Sequence, residues 1–256
     1  MKLLFNARHT TTRVRRDIKR RILTVTDVHR VTPLMQRVCF QASDLGDFES
    51  TAPDDHIKLF LPKSNQSSTG IDDVAVRTYT VRGYDPETGV ITIDFALHQS
   101  GPGTSWALNA RSGDTLEIGG PRKSDIVAND FDWYLLIGDE TALPAIGRRV
   151  EKLCANVSVI TLVVVEQLAE RQTFATSAAW TPLWIPRDGQ HLSDEDLLHL
   201  ALSELQIPIG DGYIWIAAEA AVARSLRNYV SDILRHPKAW TKTSGYWVRG
   251  APGAHT

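Results

Sequence analysis

Between Arg77 and Trp106 the chain lines up residue types suited to a large, flat, anionic molecule. Arg77-Thr78-Tyr79-Thr80 supplies a guanidinium, an aromatic ring and two hydroxyls within four residues. Asp94-Phe95-Ala96-Leu97-His98 then leads into Gly101-Pro102-Gly103-Thr104-Ser105-Trp106, where glycines flanking a proline open a short helix. Small residues let the backbone approach an anion closely, and the unpaired amides of a helix start offer it donors and partial positive charge. A diphosphate is therefore expected at the amides of Gly103, Thr104 and Ser105, with Trp106 on the first helical turn. Tyr79 offers a face for a ring system and Thr80 a hydroxyl beside it. These are the parts of a seat for a flavin dinucleotide. Period-two alternation puts Arg77 and Tyr79 on one strand face and Thr80 on the other, so the backbone must contribute. His98 ends its strand, either as a flavin contact or as a structural hydrogen-bond partner.

Two different patterns must position these groups. Short strand candidates at 22–28, 35–40, 57–61, 78–82, 90–95 and 115–119 are separated by turn signals, which predicts a small antiparallel barrel. Asp85-Pro86-Glu87-Thr88-Gly89 is a turn, and 63–73 is rich in Ser, Asn and Gly and reads as a mobile loop. From 134 onward strands and helices alternate. Strands are expected at 134–137, 157–165, 183–185, 213–217 and 244–248, and helices at 142–153, 194–202 and 220–234, with Ser193 as an N-cap. That alternation predicts a parallel sheet with right-handed crossovers. The join falls at 124–132.

With 256 residues the chain can hold two cores, and 43% hydrophobic with 23% charged residues is a globular composition. A net charge of -2 gives no reason to expect nucleic-acid binding. Cys39 and Cys154 are too few for an iron–sulfur cluster or structural zinc, and read as two buried thiols. No apolar run is long enough to cross a bilayer, so a cytoplasmic, monomeric protein without membrane insertion is expected. Arg8, Arg13, Arg15, Arg16, Lys19, Arg20 and Arg21 form a basic arm, read as a solvated tail before an electrostatic guide for an anion. Asp55 and His56 are adjacent, which sends them to opposite faces of a strand, so no metal site is expected there.

These segments together resemble the siderophore-interacting proteins, flavin-containing ferric-siderophore reductases of ferredoxin-reductase architecture. The likeness continues through Gly113-Asp114, Gly120-Pro121-Arg122, the stretch from Gly138 to Ile146, and Gly245-Tyr246-Trp247-Val248-Arg249-Gly250. It implies a six-stranded antiparallel FAD-binding barrel over 1–126, then a parallel-sheet α/β domain for NAD(P)H over 127–256. It also implies that Arg77 reaches the FAD diphosphate, Tyr79 packs on the isoalloxazine and Thr80 lies near its reactive edge. Thr78, Asp94 and His98 belong to the same cofactor-binding set. The substrate implied is an anionic ferric siderophore held by Lys58, Arg122 and Arg249. Val248 stands where the family often has another basic residue, with Arg82, Arg235 or Lys238 as compensators. A flavin or ferredoxin-type reductase with another acceptor, and a siderophore binder without electron transfer, are the alternatives.

No G-x-G-x-x-G is present. The nucleotide is expected instead at Gly138-Asp139-Glu140-Thr141, where a buried strand meets a helix, with Asp139 and Thr141 as contacts. Complementing the helix dipole is the other role open to Asp139 and Glu140. Glu166 favours NADH through a ribose hydroxyl and Arg171 favours NADPH through a ribose phosphate. NADH, NADPH and a ferredoxin donor all stay open at this point.

Overall fold

The computed structural model describes residues 8–62, 74–189, 191–251 and 253; the loop expected over 63–73 lies outside them. The N-terminal elements are Thr11–Arg15 (β1), Arg20–Thr32 (β2), Met35–Gln41 (β3), His56–Pro62 (β4), Val74–Thr80 (β5), Gly83–Asp85 (β6) and Val90–Ala96 (β7). Pro102–Asn109 (α1), Thr115–Gly119 (β8) and Lys123–Val127 (β9) follow. The C-terminal elements are Trp133–Gly138 (β10), Leu143–Lys152 (α2), Ser158–Val165 (β11), Ala179–Pro186 (β12), Asp194–Glu204 (α3), Gly212–Glu219 (β13), Ala220–Asp232 (α4) and Thr241–Trp247 (β14).

The first half of β2 alternates exposed and buried residues, as a strand with one face in a core must. It belongs to a seven-stranded antiparallel sheet ordered β5-β4-β8-β2-β3-β7-β6. The six expected strands are all present, and three-residue β6 is the addition. Only Val81 and Arg82 separate the two edge strands β5 and β6, so the sheet must curl on itself. The Arg82 amide donates to the Thr92 carbonyl across that gap. Leu23, Phe40, Leu59, Ile93 and Ile118 fill the interior.

Strand β10 is buried along its whole length, the mark of a parallel strand covered on both faces. Its sheet is parallel and ordered β12-β11-β10-β13-β14. The chain leaves β10 toward β12 and returns to β13 on the other side. That reversal creates a crevice at the carboxyl ends of β10 and β13, where open α/β sheets take their ligands. Ser193 caps α3 through a full capping box with Asp196.

Buried polar bonds fuse the two sheets into one body. Arg148 of α2 is 4% exposed and reaches into the N-terminal half, donating to the Ser50, Ala52 and Val81 carbonyls and the Ser50 hydroxyl. Glu170 accepts from the Thr32 hydroxyl and the Leu34 amide.

Two expectations are corrected. The basic arm is no solvated tail: β1 pairs with β9, and Arg13, Arg16, Lys19 and Arg21 meet Asp125, Glu49 and Asp47. Carboxylates distant in sequence hold it down, a feature that local charge counting misses. Cys154 is exposed and Cys39 half-buried, because Cys154 lies in the turn after α2 rather than in the core. Among the described residues no helix is long and apolar enough to cross a membrane.

Candidate functional site

A cavity of about 1350 Å³ lies between the curled sheet and the carboxyl ends of the parallel strands. Small-molecule sites usually occupy roughly 300–1,000 Å³, so this one has room for a dinucleotide and a second ligand. Twelve expected residues line it: Lys58, Arg77, Thr78, Tyr79, Thr80, Asp94, His98, Gly103, Arg122, Asp139, Thr141 and Arg249. Thr104, Ser105 and Trp106 are not among its lining residues.

On the N-terminal side the Tyr79 phenol of β5 reaches the start of α1. A Cβ on residue 103 would overlap the Tyr79 hydroxyl, so glycine is required there for packing as well as for anion approach. Helix α1 has no side-chain cap, and Gly101 before it takes φ 140, a conformation that favours glycine. The Ser105 amide is already committed to the Gly101 carbonyl, and of the three amides expected to meet an anion that of Gly103 belongs to a residue lining the cavity. The Thr104 hydroxyl turns inward to accept from the His98 amide. Trp106 packs against Phe40 and Phe95 in the core, since the first helical turn buries that face. Of the groups expected to meet a diphosphate, Gly103 and Arg77 are the ones that line the cavity. The Arg77 guanidinium bonds only the Val76 carbonyl, and among the described residues it has no carboxylate partner. This uncapped glycine cradle beside an uncommitted arginine fits the FAD diphosphate.

Tyr79 tilts against Phe95 with ring centroids 4.6 Å apart. Burial pushes its phenol up to about 12, against the opposing charge of Arg77, so it stays a protonated donor. Thr80 bonds Tyr246 of β14, a contact that joins the two halves at the cavity wall. Asp94 lines the cavity, yet Arg37 holds both its carboxylate oxygens at 2.7 Å.

On the C-terminal side, Asp139 follows β10 and is 2% exposed. It accepts from the Thr141 amide at 2.9 Å and the Trp247 indole at 2.9 Å. Burial and the neighbouring Glu140 charge nevertheless push its pKa up to about 6. Glu140 is not spent on the helix dipole but chelates Arg187, at 2.8 Å to each oxygen. Glu166 lines the cavity, whereas Arg171 folds back on the Leu168 carbonyl outside it.

Lys58, Arg122 and Arg249 are brought to one cavity, together with Lys123 and Val248. Among the described residues these four cations carry no ion pair and are exposed. The compensators for Val248 lie elsewhere. Arg82 is bound by Glu151, and Arg235 and Lys238 do not line the cavity. Lys242 escaped the sequence reading. It bonds Asp54 at 2.6 Å and Asp125 at 3.2 Å, and alternation along β14 places it with Ser244 and Tyr246 on the cavity wall.

Comparison with known proteins agrees with this geometry. Residues 24–125 match the family described as siderophore-interacting FAD-binding domain, and 131–250 match the one described as siderophore-interacting protein. The NADPH-dependent ferric-chelate reductase of Escherichia coli is 32% identical over 92% of this chain and 95% of its own length. The ferric vibriobactin reductase of Vibrio cholerae is 27% identical, covering 90% of both chains. The crystal structure of a siderophore utilization protein from T. fusca superposes with a TM-score of 0.87 at 32% identity, over 96% of this chain and 98% of that one.

Proposed function

The chain belongs to the siderophore-interacting protein family, and on that premise we propose that it is an FAD-dependent ferric-siderophore reductase fed by NADH or NADPH. The observation that carries the reading is the single cavity, lined at one side by the β5–α1 cradle and at another by the strand ends of the parallel sheet. Donor and acceptor can reach one cofactor only from such a shared space. FAD bound there supplies the change from a two-electron donor to one-electron reduction of Fe(III), and the softer Fe(II) is held less tightly by hard oxygen donors.

The residues do the binding and orienting. Arg77 with the Gly103 amide holds the diphosphate. Tyr79 supports the ring system, and the Thr80–Tyr246 bond fixes the wall beside it. Lys58, Arg122, Lys123 and Arg249 attract an anionic ferric chelate. No protein ligand to the iron is needed, since the siderophore already fills its coordination shell. The 1–126 and 127–256 halves act as the flavin and nucleotide domains of one monomer in the cytoplasm, and a ferredoxin remains an alternative donor.

The test is an anaerobic titration of the purified flavoprotein with NADH or NADPH, followed by a ferric siderophore and ferrozine as ferrous trap. Bleaching of the flavin, then its recovery as ferrous complex forms, is expected. A flavin that bleaches but leaves every ferric chelate unreduced would overturn the substrate assignment.

A further inference from the structure

The nucleotide end of the cavity holds a cluster of charges around Arg187. Parallel pairing of β11 with β12 ends at Val165 opposite Pro186, and the next residues are Glu166 and Arg187. The Arg187 amide donates to the Val165 carbonyl and the Asp188 amide to the Glu166 carbonyl, which keeps both side chains at the same strand-end edge. Both line the cavity, together with Glu140 and Asp194.

Arg187 is fully engaged. Its guanidinium bonds Glu140 through two nitrogens at 2.8 Å and Asp194 through two at 2.7 and 2.8 Å. Glu166 lies 3.7 Å from the same group, with a side chain 58% exposed. Burial works against the Arg187 charge, but the bonds to Asp194 and Glu140 outweigh it and raise its pKa. Three carboxylates thus surround one cation, and the least committed of them faces the cavity. Among the described cavity-lining residues that follow β10, β11 and β12, Arg187 is the one cation.

A dinucleotide whose nicotinamide reaches the flavin must carry its adenosine away from the β5–α1 cradle, along the carboxyl ends of β10, β11 and β12. A carboxylate at such a strand end accepts from ribose hydroxyls, whereas a 2′-phosphate needs an arginine free to meet it. Here the arginine is spent on carboxylates, and the most exposed group of the cluster is an acid. Resting on the reductase reading above, we infer that Glu166, with Glu140 and Asp194 locking Arg187, selects NADH and excludes NADPH. This separates the chain from the E. coli relative, whose name specifies NADPH. Like charges facing each other across a site cost enough to change affinity by an order of magnitude.

The experiment measures binding rather than turnover, on the full flavin-loaded chain with oxidised NAD⁺ and NADP⁺, by calorimetry at low ionic strength. NAD⁺ is expected to bind at least about tenfold tighter than NADP⁺, with the gap narrowing in salt. Glu166→Gln, at an exposed position that leaves folding intact, should narrow the ratio by relieving repulsion. The pair Glu140→Gln and Asp194→Asn, which releases Arg187, should bring NADP⁺ to parity or beyond. Wild-type NADP⁺ binding as tight as NAD⁺ overturns the inference, as do a ratio unmoved by both sets of variants and binding of neither nucleotide. Dithionite-reduced protein separates this from the functional reading. Should it reduce ferric chelates while binding neither nucleotide, the inference fails and the reductase stands. Selective NAD⁺ binding without ferric reduction keeps the inference and removes the reductase.

Discussion

The phenol of Tyr79 occupies the space that any side chain on residue 103 would need. The Tyr79 side chain, rather than close backbone approach, therefore links β5 to the start of α1. The glycine serves two ends at once: it exposes an amide to an anion and admits the aromatic ring beside it. A motif read as a phosphate loop is also a packing motif.

Gly103→Ala should displace Tyr79 and weaken flavin retention. Overpacking of this kind costs about 1–3 kcal/mol, or roughly 5- to 150-fold in cofactor affinity if it falls on the bound state. The flavin-to-protein absorbance ratio after desalting reads the loss. Adding Tyr79→Phe removes the overlapping oxygen and should restore part of the retention. Full flavin content in the single variant would show that the cradle relaxes freely.

Arg148→Ala should destabilise the whole chain rather than one half. It removes the donor for two buried carbonyls and one half-buried carbonyl across the domain junction. Hydrogen bonds to a charged group are each worth about 1.5–3 kcal/mol, and the orphaned carbonyls add desolvation cost. A loss on the order of 3 kcal/mol corresponds to roughly 6–12 °C in Tm for a chain of this size. Thermal melts by circular dichroism and by flavin fluorescence should fall together. An unchanged Tm would mean that water replaces the guanidinium.

The cavity-lining strand β5, the glycine loop and the alternation after residue 134 were legible because each carries a local rule: period two, a helix start, period 3.6. The cap of α3 by Ser193 was equally local. What stayed hidden depends on distant partners. Arg16 looks like a free cation until Glu49 and Ser124 fold against it, and Trp106 looks like part of the cofactor seat until Phe40 and Phe95 pack against it. Lys242 was hidden for the same reason, its partners Asp54 and Asp125 lying on the other side of the domain junction. Charge and aromatic content are read from one residue; their engagement is a property of pairs.

Asp139 gives the stability a pH dependence of predictable sign. Its folded pKa of about 6 lies above the ordinary aspartate value because burial and Glu140 disfavour the charge. The folded state therefore binds the proton more tightly, and this group's stabilising contribution is complete below about pH 4 and lost as pH rises through 6. The swing is up to about 3 kcal/mol. Asp139→Asn removes the titration, so the Tm difference between variant and wild type should move in the variant's favour from pH 4 to pH 7. Parallel Tm profiles over that range would show that Asp139 ionises as easily folded as unfolded.

The unpaired cations should act on the chelate over distance as well as by contact. Arg122 and Lys123 line both the main cavity and a second recess of about 1140 Å³ that also holds exposed Arg15. An anionic chelate approaching the cavity would meet Arg15, Arg122 and Lys123 there, and such charges raise encounter rates at low salt. Lys58→Ala and Arg249→Ala should each raise KM for an anionic ferric siderophore by roughly fivefold, the scale of one exposed charge contact. Arg15→Glu should instead lower kcat/KM at low ionic strength and lose its effect near 1 M salt, where the Debye length is about 3 Å. A neutral ferric chelate provides the control, since its kcat/KM should ignore both the salt and the Arg15 charge. Equal salt dependence for neutral and anionic chelates would place the effect on protein stability rather than on substrate approach.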